Sequence, residues 1–146
     1  MAISSAICNT FKVEVLKAVH NFTASSGNSF KLALYTSSAS MGASTTAYST
    51  SNEITNTSGS AYSAKGKALT SVTPALDSST ACCDFSDISW TSASFTANGC
   101  LIFNDTVAGD PAVCVVAFGA DKTVSNGTFT IQFPAADASN AIVRIA

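Results

Sequence analysis

Phe30-Lys31-Leu32-Ala33-Leu34-Tyr35-Thr36, continuing through SSASMGASTTAYSTSN to Glu53, is the stretch on which the reading of this chain turns. Its first half alternates: Phe30, Leu32 and Leu34 share one face, and Lys31, Ala33 and Tyr35 the other, as in a half-buried strand. Its second half is almost entirely Ser, Thr, Ala and Gly, and it offers no acid, base or metal ligand before Glu53. A packed strand feeding a long hydrogen-bonding loop describes a scaffold rather than a catalytic centre. Met41, Tyr48, Ile54 and Tyr62 give the wider tract 36–63 apolar anchors, so an ordered loop is expected there rather than disorder.

Working outward, the chain of 146 residues suits a single domain. Its hydrophobic fraction of 47% is ordinary, but only 11% of residues are charged, against about 25% in a typical soluble domain. A net charge of −2 leaves no electrostatic footprint for nucleic acid. So neutral a surface favours association. No apolar run approaches the roughly 20 residues that span a bilayer, and the N-terminus lacks the pattern of a secretory signal. Cytosolic synthesis is therefore expected, with the five cysteines (Cys8, Cys82, Cys83, Cys100, Cys114) reduced and buried.

Residues 4–19 carry the one helical pattern, with Ile7, Phe11, Val15 and Leu16 at helical steps, Ser4 or Ser5 as cap, and Asn21 and Gly27 as stop signals. Beyond Gly27 the period becomes two. Strands are predicted at Phe30–Thr36, Lys67–Thr73, Thr80–Trp90, Ser94–Asn104, Ala112–Phe118, Thr128–Phe133 and Asn140–Ile145, with a short one near Glu53–Thr57. Ala112–Phe118 is apolar on both faces and should be central. Asn126-Gly127 signals a hairpin turn. Pro111 should precede its strand and Pro134 follow one. The expected fold is mainly β: an antiparallel β-sandwich of jelly-roll type with seven to eight short strands and one N-terminal α-helix. Residues 1–27 would form the helix and connector, and 28–146 the sandwich, within one domain.

No constellation of catalytic groups emerges. Asp84 and Asp87 are three apart in a predicted strand and face opposite sides, which does not suit a glycosidase pair. Asn104-Asp105-Thr106 with Gly109-Asp110 gathers oxygen ligands but lacks the spacing of a calcium loop and reads as an Asx-type turn. His20 is the only histidine, and no G-x-S-x-G or cysteine-protease signature accompanies it. Without a C-x-x-C pair, zinc is not expected. Trp90 reads as a core plug rather than a sugar platform. No enzymatic activity, cofactor or metal is expected.

The segments NTFKVEVLKAVHNF, FKLALYTSSASMGASTTAYSTSNEI, YSAKGKAL, FSDISWTSASFTANGCLIFND and AVCVVAFGADKTVSNGTFTIQFPAADASNAIVRI, in this order, resemble a group of small virion-associated proteins of tailed bacteriophages, cyanophages included. The resemblance implies a decoration (cement) protein that binds the outer surface of the phage capsid and stabilises it. It further implies the major capsid protein as partner, dimers or trimers of the chain on a symmetry axis, and neither nucleic acid nor membrane as partner. The place implied is the virion, after synthesis in the host bacterial cytoplasm. Under that role, helix 4–19 and loop 36–63 are the expected contact elements, through Phe11, Val15, Met41, Tyr48, Ile54 and Tyr62. Alternatives are a tail or fibre component, or a carbohydrate-binding module using Trp90, Tyr35, Tyr48 and Tyr62.

Overall fold

The alternation that begins at Phe30 becomes a strand buried on both faces. In the computed structural model, which describes residues 2–55 and 61–146, the elements are β1 (Ala6–Ile7), α1 (Asn9–Leu16), β2 (Phe30–Tyr35), β3 (Lys67–Ala68), β4 (Ser71–Asp77), β5 (Thr80–Phe85), β6 (Ile88–Asn104), β7 (Ala112–Ile131) and β8 (Val143–Ile145). The strands form two antiparallel sheets, ordered β1-β7-β6-β2-β3 and β4-β5-β8. Together with the one short N-terminal helix they make the β-sandwich expected from the sequence. Phe30, Leu32, Leu34, Leu101, Ile102, Phe103, Val113 and Val115 fill its interior, joined by Phe85 and Val143 from the smaller sheet.

Several boundaries differ from the sequence reading, each for a local reason. The helix covers eight residues rather than 4–19. Residues 2–7 are extended instead: Ser4 N–H donates to Met41 O, and Ala6 and Ile7 pair with Val115 and Cys114 of β7. Ile7 suits a strand as well as a helix, and the free edge of β7 decides between them, while Ile3, before the predicted helix, bridges Met41. Part of segment 1–27 thus belongs to the main sheet. Cys8, not a serine, stands at the helix N-cap, with no side-chain cap bond. The helix stops at Ala18, whose φ of 57° is left-handed. Val19 N–H donates to Glu14 O and Ala18 N–H to Val15 O, the two bonds of a Schellman ending.

The predicted strand Lys67–Thr73 splits into β3 and β4, which lie in different sheets. Pro74 falls within β4, inside the irregularity between Val72 and Ala75, and β4 is an edge strand, where proline is tolerated. Thr80–Trp90 splits at Ser86 and Asp87, where Asp87 Oδ1 accepts from Phe133 N–H. Conversely, Ala112–Phe118 and Thr128–Phe133 merge into β7, which pairs with β6 along a long ribbon. Asn126-Gly127 does not turn the chain. Asn126 has φ 47° and sits at a bulge opposite Ser94, whose Oγ accepts its N–H at 2.9 Å. The same left-handed preference serves a bulge as readily as a hairpin. Strand Asn140–Ile145 shortens to β8. The strand expected near Glu53–Thr57 is a single bridge between Tyr35 and Glu53, and its residues 56 and 57 lie outside the described residues.

Gly66 fixes how the loop re-enters the sheet. Its φ is +66°, and a Cβ there would stand 1.8 Å from the carbonyl oxygen of Leu32 in β2. Gly66→Ala is expected to destabilise the fold by about 2–3 kcal/mol through backbone strain and collision. Urea unfolding measures this, and a loss within experimental error would contradict the close approach.

Candidate functional site

The long Ser/Thr loop is held on β2 by a carboxylate. Glu53 is 7% exposed, and each of its oxygens accepts from a tyrosine: Oε2 from Tyr48 and Oε1 from Tyr62, both at 2.6 Å. The two hydroxyls accept in turn, Tyr62 from Leu34 N–H at 2.9 Å and Tyr48 from Lys65 N–H at 3.2 Å. Tyr35 donates to Ser49 O at 2.7 Å. Backbone bonds from Thr36 to Asn52 O and from Ile54 to Leu34 O close the base of the loop. Burial, with the hydrogen bond to Glu53, pushes the Tyr48 hydroxyl up to about 12. Burial likewise raises Tyr35 and Tyr62 far above the ordinary tyrosine value. These three are all the tyrosines of the chain.

The six contact residues expected from the sequence divide. Phe11, Ile54 and Tyr62 are buried in the chain's own interior. Phe11 packs on His20 and Phe22, and Tyr62 on Trp90 and Phe95. In this fold all three are core residues. Val15, Met41 and Tyr48 are half-buried and pack against the same interior. Trp90 is buried among Tyr62, Phe95 and Phe129, with the Lys67 ammonium over its ring. Neither Trp90, Tyr35 nor Tyr62 is therefore an exposed stacking platform.

Apolar surface lies elsewhere. Val13 and Leu16 project from α1 at 52% and 88% exposure, and Leu76 and Ile145 from the smaller sheet at 71% and 57%. Leu76 and Ile145 both pair with Ala81, so the three form one row across β4, β5 and β8. Between α1 and this row runs a groove of about 390 Å³, lined by Phe11, Val15, Phe22, Cys83, Val143 and Ile145 among others. The helical pattern leaves open whether the face carrying Leu16 packs inward or on a partner, and no sequence signal singles out Leu76. Pro74 was the available sign that β4 is an edge.

The polar clusters are engaged within the fold. His20, its side chain wholly buried, meets Glu14 Oε2 through Nε2 at 2.8 Å and Asn104 Nδ2 through Nδ1 at 3.2 Å. Both ring nitrogens are thus occupied, and neither is turned to a serine or cysteine as a base. Asn104 also donates to Asn28 Oδ1, tying the post-helix turn to the end of β6. Asp105 and Asp110, weighed above as calcium ligands, hold Lys65 at 3.0 and 2.8 Å, and Asp105 also holds Lys31 at 3.0 Å. Partial burial opposes ionisation of Asp105, but the two ammonium groups outweigh it and lower its pKa. The lysines sit where a cation would have to enter. Burial raises the thiols: Cys8 and Cys83 to about 11, Cys100 to about 12, and Cys114 well above its ordinary value. At neutral pH such thiols are protonated and unreactive.

No protein-family model, curated protein or solved structure matches the chain. Among the described residues, no helix is long and apolar enough to cross a membrane.

Proposed function

We propose that the chain is a structural protein of a tailed-phage virion, a decoration protein that binds the outside of the capsid and stabilises it, without enzymatic activity. The resemblance of its segments to phage virion proteins supports this reading. The structural observation that carries it is exposed apolar surface on α1 and on the smaller sheet: Val13, Leu16, Leu76 and Ile145, with Val72, stay exposed while the other large apolar side chains among the described residues are mostly covered. An exposed apolar cluster marks an interaction site. The partner in this reading is the major capsid protein, with further copies of the chain gathered around symmetry axes. Each contact is weak, and the repeating lattice makes the sum strong. The protein is made in the host bacterial cytoplasm and resides on the capsid surface.

Deleting α1 is a poor test, because Phe11 and β1 belong to the core and sheet. Surface substitutions are clean. Leu16→Asp combined with Leu76→Asp is expected to lower occupancy on shells assembled without the chain by about tenfold or more, since each removes an exposed apolar side chain from the proposed contact surface. Circular dichroism should stay unchanged, because both side chains face solvent. Unaltered occupancy would contradict the proposal.

A further inference from the structure

We propose that the cleft enclosed by residues 39–52 is a binding site for a neutral, hydroxyl-rich ligand, namely a saccharide unit. The cleft measures about 370 Å³, within the range of small-ligand sites. Tyr35 and Met41 lie against it, and Ser40, Ser44, Thr46 and Asn52 surround it. It shares no lining residue with the apolar groove beside α1.

Three observations converge on this ligand class. No Lys, Arg, Asp or Glu lines the cleft, so neither phosphate nor a sugar acid would find a counter-charge there. The side chains of Ser40, Ser44, Thr46 and Asn52 are exposed and bond no other described residue, which leaves hydroxyls and an amide free to donate and accept. Hydroxyls with both capacities match the mixed donor and acceptor pattern of a sugar ring, and the half-buried Met41 offers apolar surface to its C–H groups.

The cleft is also preset. Asn52 holds a left-handed φ of 61° while its carbonyl accepts from Thr36 N–H at 2.9 Å. Thr45 Oγ1 accepts from Gly42 N–H at 3.0 Å. Ser49 is fixed on both sides, its carbonyl by Tyr35 and its Oγ by Ser51 N–H at 3.1 Å. Little conformational freedom remains to be lost on binding, which is where a shallow polar site otherwise forfeits affinity. On a particle carrying many copies, weak single-site binding would still yield firm attachment.

The test is an NMR titration of the isotope-labelled full chain with neutral monosaccharides (glucose, galactose, mannose, N-acetylglucosamine) and with glucuronate as the charged comparison. The expected result is fast-exchange shifts confined to amides of residues 39–52 with at least one neutral sugar, and weaker shifts with glucuronate. Thr46→Val together with Asn52→Gly, which keeps the left-handed backbone accessible, should weaken binding about fivefold or more. The same pair should leave shell occupancy unchanged, so failure of this inference and failure of the decoration reading are distinguishable. Absence of shifts in 39–52 at millimolar sugar, shifts centred elsewhere, or undiminished binding by the double variant would each overturn it.

Discussion

Replacing Glu53 by alanine is expected to lower the free energy of unfolding by about 3–5 kcal/mol, since each charge-assisted hydrogen bond it accepts contributes about 1.5–3 kcal/mol. Both bonds are 2.6 Å long, and the carboxylate is almost wholly buried, so solvent screens neither. The substitution also opens a void between Tyr48 and Tyr62. Glu53→Gln should cost roughly half as much, because its carbonyl oxygen still accepts one hydroxyl while its amide meets the other as a donor. Urea unfolding measures both. Hydrogen exchange adds a local readout: the amides of Thr36 and Ile54, bonded to Asn52 O and Leu34 O, should lose protection before the β6–β7 ladder does. A loss below about 1 kcal/mol for Glu53→Ala would mean that the loop is held by its backbone alone.

A steep alkaline unfolding is the second large effect expected. Thiols ordinarily ionise near 9.0 and tyrosines near 10.0, and the fold raises Cys100 to about 12 and lifts Cys114, Tyr35 and Tyr62 well above those values, in each case chiefly by burial. The unfolded chain therefore releases these protons at lower pH than the folded one. Their stabilisation is complete below pH 9 and is lost as pH rises through the folded values. Each fully buried group costs about 1.4 kcal/mol per pH unit in that window. Four such groups together give on the order of 5 kcal/mol per pH unit, enough to exhaust the 5–15 kcal/mol of a typical domain within a few pH units. Because all three tyrosines belong to the Glu53 cluster or touch it, tyrosinate absorbance should rise only as ellipticity falls. Tyrosines titrating near 10 in a folded protein would contradict their burial.

What could be read from the sequence was periodicity, and what could not was commitment. The alternation of Phe30–Tyr35 marked a strand and the doubly apolar run Ala112–Phe118 a central one, since side-chain period alone places them. That Phe30–Tyr35 is buried on both faces follows only from its place between β6 and β3. The same logic overextended the helix, because Ile7 fits either period and only the edge of β7 selects the strand. Met41, Tyr48, Ile54 and Tyr62 were read both as anchors of the loop and as contacts for a partner. Ile54 and Tyr62 are buried and so serve as anchors alone. Glu53 was visible as the only acid between Glu14 and Asp77. Its two tyrosine partners were not, because they meet it through the loop's path across β2 rather than through sequence spacing. Nor does any pattern reveal that Leu16 faces solvent while Phe11 does not. That follows from which side of a short helix meets the sheets.

A density map of the whole virion tests the central proposal most directly. The expected result is copies of the chain studding the outer capsid surface, with α1, Leu76 and Ile145 turned to the shell protein or to a neighbouring copy on a symmetry axis. Copies confined to the tail, or a shell contact that leaves Leu16 and Leu76 in open solvent, would contradict it.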